Sequence, residues 1–327
     1  MRVKQRTHVA VGVIYNSTKD KVLITKRTDK QHLGGYWEFP GGKAEANEDV
    51  QSALKRELYE ELGIIVLNAE RFTTISHDYS DKKVLLDVWK INEFSRKPVS
   101  RENQEIKWSN IDELNNFQFP DANKFIIQTI SLDQIYVISQ ESYEDYSRLF
   151  SVASECFTAG LKLFQLRLKS EGHEKIKKVV ETLSVLARQN NAKLILNGTA
   201  TDIEKYTIDG IHLKSNDLEK YGSRPISEEL ILGASCHNEE DLVKASKLNV
   251  NYAFISPVLT TRSHPEREAL GWNILGNLIK KVNFPVYALG GMTPTDLKTA
   301  NSHGAYGVAM IGSIWNSANP GQTIKSR

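Results

Sequence analysis

Two cysteines, Cys156 and Cys236, are all that the 327 residues contain. They lie far apart, with no metal-type spacing, which excludes a disulfide scaffold and favours a reduced, intracellular setting. Prolines number only nine, and no Pro-rich, Gly/Ser-rich or low-complexity linker divides the chain. Apolar runs of about 18 residues are missing, so no membrane-spanning helix is expected. The start, "MRVKQRTHVAVGVIY", has an apolar run too short for a bilayer and no small-residue cleavage site, and reads as a first strand. An excess of one charge is lacking as well. Forty-two Lys and Arg against forty Asp and Glu leave a net charge of +2, so no global basic field points to nucleic acid or to a membrane surface. The expectation is a cytoplasmic protein with neither as a direct partner.

What is present is material for two buried cores, with 40% hydrophobic and 25% charged residues. In the first third, "HVAVGVIY" and "KVLITKR" are β-branched runs around the polar turn "NSTKD". "RFTTISHDY" and "KVLLDVWKI" read as a hairpin, and "FPDANKFIIQTI" as a helix with Pro120 near its first turn. From Ile135 the rhythm changes. Eight short apolar runs, from "IYVIS" to "GVAMIG", alternate with helix-period stretches such as "HEKIKKVVETLSVLARQ". Such alternation implies a parallel sheet, and eight units favour a (β/α)8 barrel over an open doubly wound sheet. The change of rhythm puts the domains at 1–131 and 132–327.

The segment "GGKAEANEDVQSALKRELYEELGI" holds five glutamates. Glu57, Glu60 and Glu61 share one helix face, where like charges repel. A solvated acidic face is one reading. The other is a multivalent cation between the carboxylates, because Mg²⁺ is held by a few carboxylates plus substrate phosphates. The preceding "FPGGK" offers a glycine turn where backbone can approach a ligand closely.

The spacing Gly42, Glu48, Arg56, Glu57, Leu58, Glu60, Glu61, Gly63, Ile64 matches G-x5-E-x7-R-E-U-x-E-E-x-G-U at every fixed position. It resembles the Nudix box. The resemblance implies an α/β/α sandwich with a mixed sheet that hydrolyses nucleoside diphosphates linked to another group. It implies Glu57, Glu60 and Glu61 as ligands of Mg²⁺ (or Mn²⁺), with Arg56 orienting Glu57 and Glu48 supporting the loop. Further stretches resemble the MutT type, which converts 8-oxo-dGTP to the monophosphate and pyrophosphate. "LITKRTDKQHLGGYWEFPGGK" places Arg27 and His32 at phosphate and nucleotide contacts. Glu38, Phe39, Pro40 and Gly41 then form the pocket wall, with Lys43 beside them and the Gly41 carbonyl on the metal. "RENQEIKW" makes Glu102 a metal ligand or general base, with Glu105 as the alternative. "FPDANKF" makes Asn123 the reader of the base edge, while Tyr79 reads as packing. The implied partner is a nucleoside triphosphate.

From about residue 133 the chain resembles thiamine phosphate synthase and its relative, the thiazole tautomerase. The resemblance implies a phosphate-ligand site from Gln165, Arg167 and Lys169 of "QLRLK", Asn197, Asp217, Ser235 and His237 of "ASCHN", and Gly290 and Gly291 of "ALGGMTP". Two departures weaken it as a synthase. Gly198 and Thr199 stand where the family has an aspartate and an arginine, and His264 where it has a lysine. The expectation is therefore an 8-oxo-dGTP hydrolase carrying a degenerate, phosphate-ligand-binding barrel. The alternative is a thiamine-pathway protein whose Nudix half removes a damaged pyrophosphate.

Overall fold

A computed structural model describes residues 6–29, 32–80, 82–168, 172–261 and 268–326. The chain forms two compact units, Met1–Ser131 and Leu132–Arg327. Among the described residues no helix is long and apolar enough to cross a membrane.

In the first unit β1 (Thr7–Ile14) is central. It pairs parallel with β6 (Lys83–Ser95) and antiparallel with β4 (Gly41–Lys43), and β5 (Ile65–Asp78) closes the sheet in the order β4-β1-β6-β5. A second sheet, β3-β2-β7, is built from Trp37–Glu38, Lys21–Lys26 and Ile106–Asn110. The four-stranded sheet is mixed, as the sequence reading expects, and an isolated bridge between Tyr15 and Val22 links the two sheets.

Alternation along β1 decides the layers, because successive strand side chains point to opposite faces. Ala10 and Ile14 pack under α1 (Val50–Leu62) with Leu54, Leu58 and Leu62. Val11 and Val13 pack under α2 (Asp121–Ile130) with Ala122, Ile126 and Ile130. The result is an α/β/α sandwich. Helix α1 starts where the Asp49 carboxylate accepts the backbone N–H groups of Gln51 and Ser52, both at 3.1 Å. It stops at Gly63, which adopts φ 71°, a left-handed conformation that suits glycine.

The second unit is a closed parallel barrel of eight strands: β8 (Ile135–Ile138), β9 (Leu163–Leu166), β10 (Lys193–Asn197), β11 (Gly210–Leu213), β12 (Ile231–Cys236), β13 (Tyr252–Ile255), β14 (Val286–Leu289) and β15 (Gly307–Met310). The last strand pairs with the first, Ala309 opposite Tyr136. Outward residues such as Val137, Phe164, Leu194 and Ile211 form the core against the helices. The outer layer is less regular than strict strand–helix alternation. Only the four-residue helix Asp202–Lys205 and the 3-10 turn Ser215–Lys220 follow β10 and β11.

Candidate functional site

The C-terminal turns of α1, the strand pair β2–β3 and the loop after β6 meet at one cleft. Glu38, Glu61 and Glu102 line it, together with Thr25, Lys26, Thr28 and Gln104. Glu61 is the centre of this arrangement. Burial, the strongest influence, and then the charges of Glu38, Glu102 and Glu57 push its carboxyl up to about 8, against one Gly41 N–H that favours the ionised form. That N–H lies 3.1 Å from Glu61 Oε2. Burial also raises Glu38, opposed by the guanidinium of Arg27.

Arg56 is the hub of the adjoining loop. Its guanidinium grips both oxygens of Glu48 at 2.9 Å, and donates to Glu57 Oε1 at 2.9 Å, Glu60 Oε2 at 3.1 Å and the Lys43 carbonyl at 3.1 Å. Glu48 in turn accepts the Glu45 N–H at 2.9 Å. The fork geometry of arginine allows this simultaneous hold. Gly42 is glycine because the Glu57 carboxylate occupies the space a side chain would fill: an added Cβ would lie 2.1 Å from Glu57 Cδ. Gly41 has φ +142°, and its own Cβ would meet the Ala10 carbonyl at 2.1 Å.

The donor set is all carboxylate oxygen, which suits a hard divalent cation. Like charges crowded around a buried Glu61 are the electrostatic counterpart of such an ion. Among the described residues, no three acidic, His or Cys side chains stand close enough to share one ion. Arg56 holds Glu57 and Glu60, and Glu60 is half exposed.

The other residues named from the sequence make the following contacts. Arg27 donates to Glu38 Oε2 at 2.7 Å and to the His32 carbonyl, so its guanidinium braces the pocket wall. His32 is exposed, its ring edge-on to Tyr79 at 6.2 Å. Lys43 is exposed. Phe39 is core, stacked on Phe119 at 5.8 Å, and the Pro40 carbonyl accepts the Gly12 N–H at 2.8 Å. Asn123 is 9% exposed, and its side-chain oxygen accepts the Phe39 N–H at 3.2 Å. Glu105 reaches Lys26 at 3.4 Å, whereas Glu102 faces the cleft. Tyr79 packs edge-on to His77 and accepts the Ala122 N–H at 3.3 Å. Gln104, buried between Glu102 and Glu61, carried no signal in the sequence, since its partners lie up to 43 residues away.

In the barrel, Gln165, Asn197, His212 and Ser235 point inward near the C-terminal strand ends, where barrel sites form. Gln165 is 2% exposed, and its amide lies against the buried hydroxyls of Tyr136 and Tyr252. Arg167 pairs with Glu141, Asn197 donates to the His212 carbonyl at 3.3 Å, and Asp217 pairs with Lys220 at 2.6 Å. His237 contacts the Ser256 carbonyl through Nδ1 at 2.8 Å. Gly290 (φ +100°) and Gly291 (φ +69°) let the end of β14 press on the 257–260 loop. Lys169 and His264 lie outside the described residues. The position of Gly198 is informative: an added Cβ would lie 2.5 Å from Asp202 Oδ2, so a carboxylate from the next turn fills that space and caps the Thr199 N–H at 2.8 Å.

The sequence reading missed the buried inner layer. His212 links Tyr252 (3.0 Å) to Ser235 (2.9 Å), and Tyr252 reaches Tyr136 at 2.8 Å. Phe254 stacks on His212 at 4.5 Å. Burial pushes the His212 imidazole down to about 3, with Arg167 adding to the effect.

Comparison with known proteins follows the same division. Residues 135–314 match the family described as thiamine monophosphate synthase, and residues 10–129 the NUDIX domain. An 8-oxo-dGTP diphosphatase of Proteus vulgaris is 43% identical over 94 residues, 29% of this chain and 83% of that protein. A putative thiamine-phosphate synthase 2 of Aquifex aeolicus is 29% identical over 183 residues, 56% of this chain and 97% of its own length. Among solved structures, a chain from a study of MutT from Aliivibrio salmonicida and Vibrio cholerae is 38% identical, with a TM-score of 0.35, and covers 38% of this chain and 97% of its own.

Proposed function

Because the chain belongs to the thiamine monophosphate synthase family through residues 135–314 and to the Nudix family through residues 10–129, we propose that its first unit is a Mg²⁺-dependent hydrolase of 8-oxo-dGTP. The products are the monophosphate and pyrophosphate. A hydrolase acting on phosphoric anhydrides is the class to which that half of the chain belongs.

Glu57, Glu61 and Glu102 would hold the cation, with the Gly41 carbonyl and Glu60 as further oxygen donors. When bound, the ion neutralises the phosphate chain and lowers the pKa of water. Arg56 keeps Glu57 in register with the loop. A carboxylate, Glu57 or Glu102, takes the proton of the attacking water. The water oxygen bonds to phosphorus, and the anhydride bond breaks to release pyrophosphate. Arg27 and Glu38 form a rigid wall, and His32 is the exposed group beside it.

The observation that carries the substrate reading is Asn123. Its carbonyl oxygen is engaged by the Phe39 N–H, which fixes the amide so that its NH₂ is presented as a donor to an acceptor on a base edge. The test is hydrolysis with Mg²⁺ of 8-oxo-dGTP, dGTP, CTP, ADP-ribose, and the thiamine pyrimidine and thiamine diphosphates. A strong preference for 8-oxo-dGTP over dGTP supports the reading. Equal turnover of the two removes Asn123 as a reader.

A second reading rests on Gln165. Its amide belongs to the buried polar layer near the C-terminal strand ends, where barrel sites form. This supports a barrel that holds a phosphorylated, thiamine-related ligand at the strand ends, with Ser235, Gly290 and Gly291 beside it. Preference for a thiamine-related diphosphate in the same panel would make that half the guide to the pathway.

A further inference from the structure

The loop carrying Glu102 has no regular secondary structure, yet a carboxylate that works with Glu61 needs a fixed place. Its support is the end of α1. The Val99 N–H donates to the Leu62 carbonyl at 3.0 Å, and the Arg101 N–H to the Glu61 carbonyl at 3.0 Å. Arg101 Nη1 donates to the Tyr59 carbonyl at 3.1 Å. The Leu62 and Glu61 carbonyls are ones that a helix end leaves unpaired, while the Tyr59 carbonyl also accepts the Gly63 N–H at 3.0 Å. Gln104 completes the attachment with one amide. Its NH₂ donates to the Glu61 carbonyl at 3.1 Å, and its oxygen accepts the Glu102 N–H at 2.9 Å and the Ser100 hydroxyl at 3.0 Å.

We propose that Gln104 is a positioning residue: a neutral clamp that fixes the backbone of Glu102 to the backbone of Glu61, and so sets the distance between the two carboxylates. The inference rests on the hydrolase reading above, because it takes Glu61 and Glu102 as the pair that works together. The chemistry singles out glutamine. The task needs a donor on one side and an acceptor on the other within one planar group, which an amide supplies without charge. A glutamate at this position would lack the donor when ionised and would add a carboxylate to a cleft that already holds three. A leucine would supply neither bond. Gln104 is 8% exposed, so its bonds are shielded from competition by water.

The experiment uses the full chain with Gln104→Leu, Glu102→Gln and the double variant. Gln104→Met, unbranched and of similar length, stands in should leucine not be accommodated. Two readouts are taken besides the thermal midpoint: Mn²⁺ affinity from the spin-resonance signal of the free ion, and kcat and KM for the best nucleotide. The expected result is a folded Gln104→Leu with Mn²⁺ binding weakened severalfold, and kcat down about 10- to 100-fold with KM little changed, the scale that misplacement by an ångström produces. The double variant should then be no worse than Glu102→Gln alone, because Gln104 acts through Glu102. Unaltered Mn²⁺ affinity and kcat in Gln104→Leu, or losses that add in the double variant, would overturn the clamp. If the chain prefers another nucleotide but keeps the non-additive pattern, the substrate reading falls and the clamp stands.

Discussion

Glu57→Gln isolates the charge of one residue, since the amide oxygen still accepts from Arg56 Nη1. The rate should fall by about 100-fold or more, while stability changes by no more than about 0.5 kcal/mol. Turnover near that of the unchanged protein would remove Glu57 from the proposed metal site. Asn123→Ala should do something different. It leaves the buried Phe39 N–H without its acceptor, a loss of about 1–3 kcal/mol, and it should narrow the rate ratio between 8-oxo-dGTP and dGTP. Denaturant midpoints and paired kcat/KM values separate the two effects. His212 gives a pH test in the barrel. Its native imidazole titrates near 3, against 6.5 for an unhindered histidine. The unfolded chain therefore binds the extra proton first, and stability is lost as pH falls from about 6.5 toward 3. His212→Gln should flatten the difference in unfolding free energy between pH 7.5 and pH 5. An unchanged difference would assign the slope to other groups.

At the scale of elements, α1 and the 99–104 loop behave as one piece. Gly63 is the joint: its φ is 71°, and a Cβ there would lie 2.7 Å from Arg101 Nε. Gly63→Ala should lower stability by about 1 kcal/mol through the left-handed backbone alone, and should reduce kcat as well by displacing Arg101 next to Glu102. A loss of stability with full turnover would show that the loop tolerates the shift. The glycine and its glutamates were legible in the sequence because the box repeats fixed spacings along one helix. Arg56 bonds Glu48 and Glu57 within that same local segment. Gln104, the Arg27–Glu38 pair and Asp202 beside Gly198 were not legible. Gln104 meets Glu61 across 43 residues. Arg27 was placed at a phosphate contact by the resemblance, and the Glu38 carboxylate that faces it across paired strands was hidden. The eight barrel strands stood out as apolar runs, whereas the inward polar layer of Tyr136, His212 and Tyr252 was hidden inside those same runs.

The whole molecule divides into two units with separate cores. Residues 1–131 alone contain every group assigned to hydrolysis. A chain of that length should fold and should turn over nucleotide with a kcat within about threefold of the full protein, judged against context effects of that size. Circular dichroism and the substrate panel check it. An unfolded or inactive fragment would show that the barrel supports the first unit.

The closure of the barrel sets an order of events during synthesis. Its first strand, Ile135–Ile138, cannot complete its pairing until Gly307–Met310 has been made. The sandwich is fully synthesised at Ser131, so it precedes the closing strand by roughly 10 to 40 s at ribosomal rates of about 5–20 residues per second. A nascent chain can therefore carry a finished nucleotide site while the barrel behind it is still an open sheet with both edges bare.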